Sequence, residues 1–368
     1  MPLLADLPSE VITLLAIQLE TDDFCNLRLT CQDLNSKSFS QFLGCYFKIR
    51  YHMLNRQSLH NLLEVSTHSV FGPALHTLEI CVDHLSADPP SYHPSAWDRP
   101  GKWRVGIESG VEAVVNEEAY KHCFEDQQSL RDGGLDSAYL TRALINLSNC
   151  KTVSINDTNQ PWGAASQKRQ TGVFPMTSMG HVESVEFIKR TVQVVLTAIM
   201  ASQVSLDLLE IFPGFNREAM SPEMLPLWSE ISLSQPLSKL TLVTSLVLMI
   251  NPETSSSSNA WAQDLLSFIR LFPALKEFSL YFYGRDENGR LGSLSNSLQL
   301  PSLRTLSIDA VDCTEDDLVT LFLNHKDTLR EIYLDSIYIM EGKGSWTSLE
   351  RIVEEKLSVE TFSHVDDV

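Results

Sequence analysis

A six-residue apolar pattern recurs along most of this 368-residue chain: apolar-x-x-apolar-x-apolar. It stands at Leu75-x-x-Leu78-x-Ile80, Cys150-x-x-Val153-x-Ile155, Val182-x-x-Val185-x-Phe187 and Leu206-x-x-Leu209-x-Ile211. It returns at Leu237-x-x-Leu240-x-Leu242, Leu275-x-x-Phe278-x-Leu280, Leu303-x-x-Leu306-x-Ile308 and Leu329-x-x-Ile332-x-Leu334. From Cys150 onward the starts lie 32, 24, 31, 38, 28 and 26 residues apart. The alternating end of each pattern suits a strand with one buried face. The leading residue covers the turn that enters it. No unit of this size seals its own apolar side, so the units must stack.

Helical stripes fill the intervals. Val192, Val195, Leu196 and Ile199 form one, and Trp261, Leu265, Leu266 and Ile269 form another that stops near Pro273. Thr314 caps a third, with Leu318, Leu321 and Phe322 facing inward. Trp346, Leu349, Ile352 and Val353 make a last helix that closes the array. Strand then helix, repeated, gives an α/β solenoid with parallel strands inside and helices outside. The array is expected over residues 75–368, with insertions at about 82–135 and 156–180. The first insertion opens with a Pro-rich loop and continues as a charged helix over about 111–131. The second has no periodicity and reads as loop, as does Thr254 to Asn259.

Charge narrows the partners. Lys plus Arg number 28 against 47 Asp plus Glu, a formal net charge of −19. So acidic a chain is a poor binder of nucleic acid or of anionic membrane. The seven cysteines are scattered without a C-x-x-C, which argues against a disulfide framework or a zinc site. Met1 to Asp6 carries no basic region or long apolar core, so no secretory signal is expected. The most apolar stretch, Leu240 to Ile250, is too short for a bilayer. Soluble, intracellular residence in cytoplasm or nucleus is the expectation, which outweighs the glycosylation patterns at Asn146 and Asn156.

The first fifty residues are of another kind. Val11, Ile12, Leu15 and Leu19 repeat at helical spacing after Leu7-Pro8. Phe24, Leu27 and Cys31 share a second stripe, with Thr21 or Asp22 as its cap. Asn35 or Ser36 caps a third helix carrying Phe39, Phe42, Leu43 and Phe47. A linking helix is expected within residues 51–74.

Residues 4 to about 47 resemble an F-box of the style common in fungal proteins. The resemblance rests on Leu7-Pro8, Glu10-Val11-Ile12, the spacing to Leu15 and Leu19, Asp23-Phe24 and Leu27-Arg28-Leu29-Thr30-Cys31. It departs at Leu34, where many F-boxes have an aromatic, and at Ala16-Ile17, where they have Ile-Phe. The resemblance implies a helical module over residues 1–50 that docks on a Skp-type adaptor, and through it on a cullin–RING ubiquitin ligase. The docking residues it implies are Leu7, Pro8, Val11, Ile12, Leu15, Leu19, Phe24, Leu27, Leu29 and Cys31. The remainder resembles the degenerate leucine-rich-repeat region that often follows a fungal F-box. Its implied role is to present a concave surface to a target protein.

Nothing in the sequence asks for a catalyst or a cofactor. His52, His60, His68, His76 and His84 fall every eight residues, but eight helical residues advance about 800°, so they share no face. Gly106 to Gly110 places its serine one position late for a nucleophile elbow. Asp286-Glu287-Asn288-Gly289 is a turn without the later ligands of a calcium loop. No phosphate-binding glycine loop and no H-E-x-x-H occur. The aromatic residues Tyr92, Trp97, Trp103 and Trp162, in the long loops, are the candidates for target contact.

Overall fold

The computed structural model describes residues 4–88, 115–175, 182–213, 220–226, 240, 242–252, 260–286 and 290–365. Among these, nine strands form one sheet. They are β1 (Ile49–Met53), β2 (Thr77–Cys81), β3 (Thr152–Asn156), β4 (Leu208–Phe212) and β5 (Ser245–Ile250). The last four are β6 (Glu277–Asp286), β7 (Thr305–Cys313), β8 (Glu331–Ile339) and β9 (Thr361–Val365). Their order in the sheet is their order in the chain, and every adjacent pair is parallel. That arrangement is leucine-rich-repeat-like.

The register shows why the pattern recurs. Leu78, Val153, Leu209, Leu246, Phe278, Leu306 and Ile332 align in one column. Ile80, Ile155, Ile211, Leu248, Leu280, Ile308 and Leu334 align in a second. All of these side chains are buried. Removing each from water stabilises by roughly 1.5–3 kcal/mol. The residue that opens each of the six patterns at Leu75, Cys150, Leu206, Leu275, Leu303 and Leu329 is buried too, and the N–H closes the entering turn at Leu75 on Gly72, Cys150 on Leu147, Leu275 on Phe272 and Leu303 on Leu300. The carbonyls of Lys48, His76, Lys151, Lys276, Arg304 and Arg330 each accept two N–H groups from the next repeat.

Parallel strands need a crossover, and helices supply it on one face. They are α5 (Arg56–Thr67), α8 (Leu135–Asn146), α10 (Val182–Ser202), α11 (Ala260–Ile269), α12 (Leu291–Ser295), α13 (Glu315–Leu323) and α14 (Trp346–Lys356). Successive members touch, α11 reaching α10 through a short turn at Pro222–Met224. One apolar core runs from Leu54 to Val353 beneath them. Thr314 caps α13 with a full capping box, its hydroxyl accepting from Asp317 N–H while the Asp317 carboxylate accepts from Thr314 N–H. His325 is held neutral by geometry. Its Nδ1 donates to the Leu321 carbonyl and its Nε2 accepts from the Leu300 N–H.

Several expectations need correction. Val182-x-x-Val185-x-Phe187 is not a strand but the start of α10, because the apolar run continues at Ile188, Val192, Val195 and Ile199 with helical period. The strand expected at Leu237 lies six residues on, where Val243, Leu246 and Leu248 fill the three core positions. The segment 51–74 is no connector. It contains most of β1 and all of α5, whose Leu59, Leu62 and Val65 belong to the main core. β1 and β9 escape the pattern because polar residues hold inward positions: Arg50 and His52 in β1, His364 in β9. The third N-terminal helix is two: α3 (Gln32–Lys37) and α4 (Phe39–Tyr46), broken at the buried Ser38. In the first insertion, α7 (Glu117–Asp132) matches the expected charged helix.

Candidate interaction surfaces

The N-terminal module packs four helices: α1 (Ser9–Ile17), α2 (Thr21–Thr30), α3 and α4. Its interior is small. Ile12 and Ala16 from α1, Phe24 from α2 and Leu34 from α3 are its buried apolar residues. Phe24 stacks on Tyr46 at 6.1 Å and meets Phe42 edge-on at 6.4 Å. The Arg28 guanidinium lies 3.4 Å from the Phe42 ring centre and donates to Asn35 at 2.7 Å. Lys37 donates to the carbonyls of Ala5 and Leu7, pinning the entering turn to α3. Phe47 stacks on Phe71, the first residue of the short helix α6 (Phe71–Ala74), at 4.1 Å and is the first side chain to reach the main core.

Of the ten residues implied for docking, Ile12 and Phe24 are a correction. Ile12 is 0 % exposed and Phe24 nearly so, so both serve the module's own interior. Leu7, Leu27 are half-buried; Pro8, Val11, Leu15, Leu19, Leu29 and Cys31 are exposed. Leu29 stands 82 % exposed. Two further residues outside the implied ten, Leu14 at 65 % and Ile17 at 54 %, complete this surface; Ile17 stands out in the sequence only as a departure from the F-box pattern. Leu14 lies two residues from Ile12, roughly 200° around the helix, so it points away from the interior. The available signal was that α1 is apolar on every side, a pattern that asks for cover all round.

The second surface is the sheet face opposite the helices. One outward column holds Tyr51, Glu79, Ser154, Glu210, Val247, Ser279, Ser307, Tyr333 and Ser363. Its neighbour holds Met53, Cys81, Asn156, Phe212, Met249, Tyr281, Asp309, Asp335 and Val365. At β1–β3 this face is covered. The second insertion is not wholly loop: it forms α9 (Ala164–Thr171), entered through Gly163 at φ +94°, a conformation that favours glycine. Ala164 and Phe174 pack on Met53 and Cys81. Asn55 donates to Gln167 at 3.2 Å.

Beneath that cover sits Glu79, only 5 % exposed. Asn159 Nδ2 donates to both of its carboxylate oxygens at 3.2 Å. Burial pushes its pKa up to about 7, against the opposing effect of bonds from Asn156 and Asn159. Trp162, half-exposed, sets its backbone N–H on the Tyr51 carbonyl at 2.8 Å and so fastens the cover at the β1 end. Tyr92, Trp97 and Trp103 lie outside the described residues, as does the Gly106–Gly110 segment.

From β4 to β8 the outward residues of the two columns are half-buried or exposed, apart from Met249. Phe212 and Tyr281, two strands apart, meet edge-on at 5.2 Å above the buried Met249. Tyr333, Asp335 and Tyr338 are exposed beyond them. Ala310 in β7 and Ser336 in β8 occupy the same register step, with φ of 60° and 51°. The bulge resets the alternation, so Val311 and Ile337 point inward again.

His52 and His84 are interior, whereas His60, His68 and His76 are at the surface. His52 Nδ1 lies 3.0 Å from both the carbonyl and the hydroxyl of Ser58, and burial lowers its pKa to about 3. Among the described residues no three His, Cys, Asp or Glu side chains are grouped to hold a metal. No described helix is long and apolar enough to cross a membrane.

No family model and no curated protein matches the chain. Among solved structures it is similar to an internalin C2 from Listeria monocytogenes, at 15% identity, covering 62% of this chain and 84% of that one, with a TM-score of 0.25. It is also similar to a Bacteroides fragilis protein, at 13% identity, covering 63% and 69%, with a TM-score of 0.27. Likeness so slight has no bearing on function, and the architecture rests on the strand order itself.

Proposed function

We propose that this chain is the target-holding subunit of an SCF-type cullin–RING ubiquitin ligase. The α1–α2 surface docks on a Skp-type adaptor, and the repeat array holds a target protein. The chain itself performs no chemistry. It raises the local concentration of the target beside the ubiquitin-charged enzyme by binding both at once.

One observation carries this reading. Val11, Leu14, Leu15, Ile17, Leu19 and Leu29 stay in water within nineteen consecutive positions, on a module whose interior is already filled. Contiguous exposed apolar surface of this kind marks a docking site, here one built of helix faces. The ordered agreement of Leu7-Pro8, Asp23-Phe24 and Leu27 to Cys31 with the F-box pattern supports the choice of partner.

A purified Skp-type adaptor should capture the full chain. Leu14→Asp combined with Ile17→Asp should abolish capture while leaving the circular-dichroism melt unchanged. Capture of the double variant at the unaltered level, or none by the unaltered chain, would overturn the docking assignment. The array would then stand as an interaction scaffold outside ubiquitin ligation.

A further inference from the structure

The face from β4 to β8 is anionic as well as aromatic. Glu210 lies on it in the first outward column at β4, and Asp309 and Asp335 lie side by side in the second at β7 and β8. Tyr281 stands among them. Its hydroxyl pKa is raised by burial first, then by the negative charges of Asp309, Asp335 and Glu210, so it lies within electrostatic reach of all three. The two outward columns contain neither Lys nor Arg on any of the nine strands. The cations of the repeat, Lys276, Arg304 and Arg330, stand one position before their strands, at the rim. Three carboxylates in two columns that hold no Lys or Arg favour an occupant of the other sign. Exposed tyrosine rings add a further preference, because ring faces attract ammonium and guanidinium groups.

The cover limits where such an occupant lies. α9 and Asn159 already occupy the face at β1–β3 and shield Glu79 there. We propose that the target is bound through a Lys/Arg-rich, extended polypeptide segment laid across β4–β8, against Glu210, Asp309, Asp335 and the rings of Tyr281 and Tyr333. This names the class of target for the array, and it rests on the reading of the array as the target-holding part.

The probe is a fluorescein-labelled decapeptide alternating Lys or Arg with Ser, titrated into the full chain and followed by fluorescence anisotropy. An Asp/Glu–Ser peptide of equal length is the counterpart. The cationic peptide should bind and the anionic one should not. Glu210→Gln, Asp309→Asn and Asp335→Asn together should weaken binding at least about tenfold. A control variant loses the same net charge elsewhere, through Glu341→Gln, Glu354→Gln and Glu355→Gln at exposed positions. It should stay within about twofold, since exposed charges more than a Debye length away are largely screened. Tyr333→Ala, which changes no charge, should weaken binding several-fold. Absence of binding by the unaltered chain overturns the inference, as does an equal loss in the control variant. Adaptor capture, measured on the same samples, separates the two proposals: lost capture with intact peptide binding sinks the ligase reading alone, and the converse sinks this one alone.

Discussion

The N-terminal module and the repeat array use the same apolar residue types with opposite results. In the array, leucines at fixed register are sealed between sheet and helices in one core from Leu54 to Val353. In the module, α1 carries Val11, Leu14, Leu15 and Ile17 into water around a core of four buried apolar side chains. Repetition explains the difference. Each inner array unit has a neighbour on both sides to cover it, whereas the module has one neighbour, reached through Phe47. Apolar surface with no internal neighbour is available to an external one.

The comparison is broken most directly inside the array. Leu306→Ala removes a column residue with packed strands on both sides and should cost about 2–5 kcal/mol in denaturant unfolding. A loss under about 1 kcal/mol would mean the columns do not form one continuous core. Glu79→Gln tests the covered end. The folded pKa of about 7 lies above the reference value of 4.5, so the unaltered fold loses stability as pH rises through that window. The Gln variant should be more stable by up to about 3 kcal/mol at pH 8, with the gain vanishing below about pH 4.5. A pH-independent difference would place Glu79 in water. Thr314→Ala removes one half of a capping box and should cost about 1 kcal/mol, read in the same unfolding assay.

Smaller effects sharpen the contrast. Ser336→Gly relieves a left-handed residue that lacks a glycine's freedom. It should stabilise by up to about 1 kcal/mol in thermal melts, offset in part by the entropy glycine loses on folding. Leu14→Asp with Ile17→Asp should change stability by no more than about 0.5 kcal/mol, because these side chains already face water. A larger loss would show that the module relies on them internally.

How much was legible follows from what each position must do. Six patterns, at Leu75, Cys150, Leu206, Leu275, Leu303 and Leu329, mark real strands, because a two-sided parallel sheet demands apolar residues at fixed spacing. The terminal strands were illegible for the converse reason. Each has a neighbour on one side only, which lets His52 and His364 stand in the core column. His364 then stacks on Trp346 at 4.3 Å and bonds Glu350 at 3.0 Å. The Val182 pattern misled because three apolar residues at this spacing also occur within a helix without sharing a face: Val182 is exposed and Phe187 buried, and only the longer run decides. The cover over β1–β3 left no periodic trace, since α9 is short and holds its place through Asn55, Asn159 and a glycine. In the module the apolar stripe was visible, but Ile12 inside and Leu14 outside follow from packing that a stripe alone does not specify.

The strict agreement between strand order and chain order has a consequence for synthesis. As the chain leaves the ribosome, each new strand meets a partner that has already emerged, and no loop has to be closed over a distant segment. The longest wait falls between Cys81 and Thr152, where the first insertion delays the third strand. Growth from one end, with a single early pause, is the assembly route that this topology prescribes.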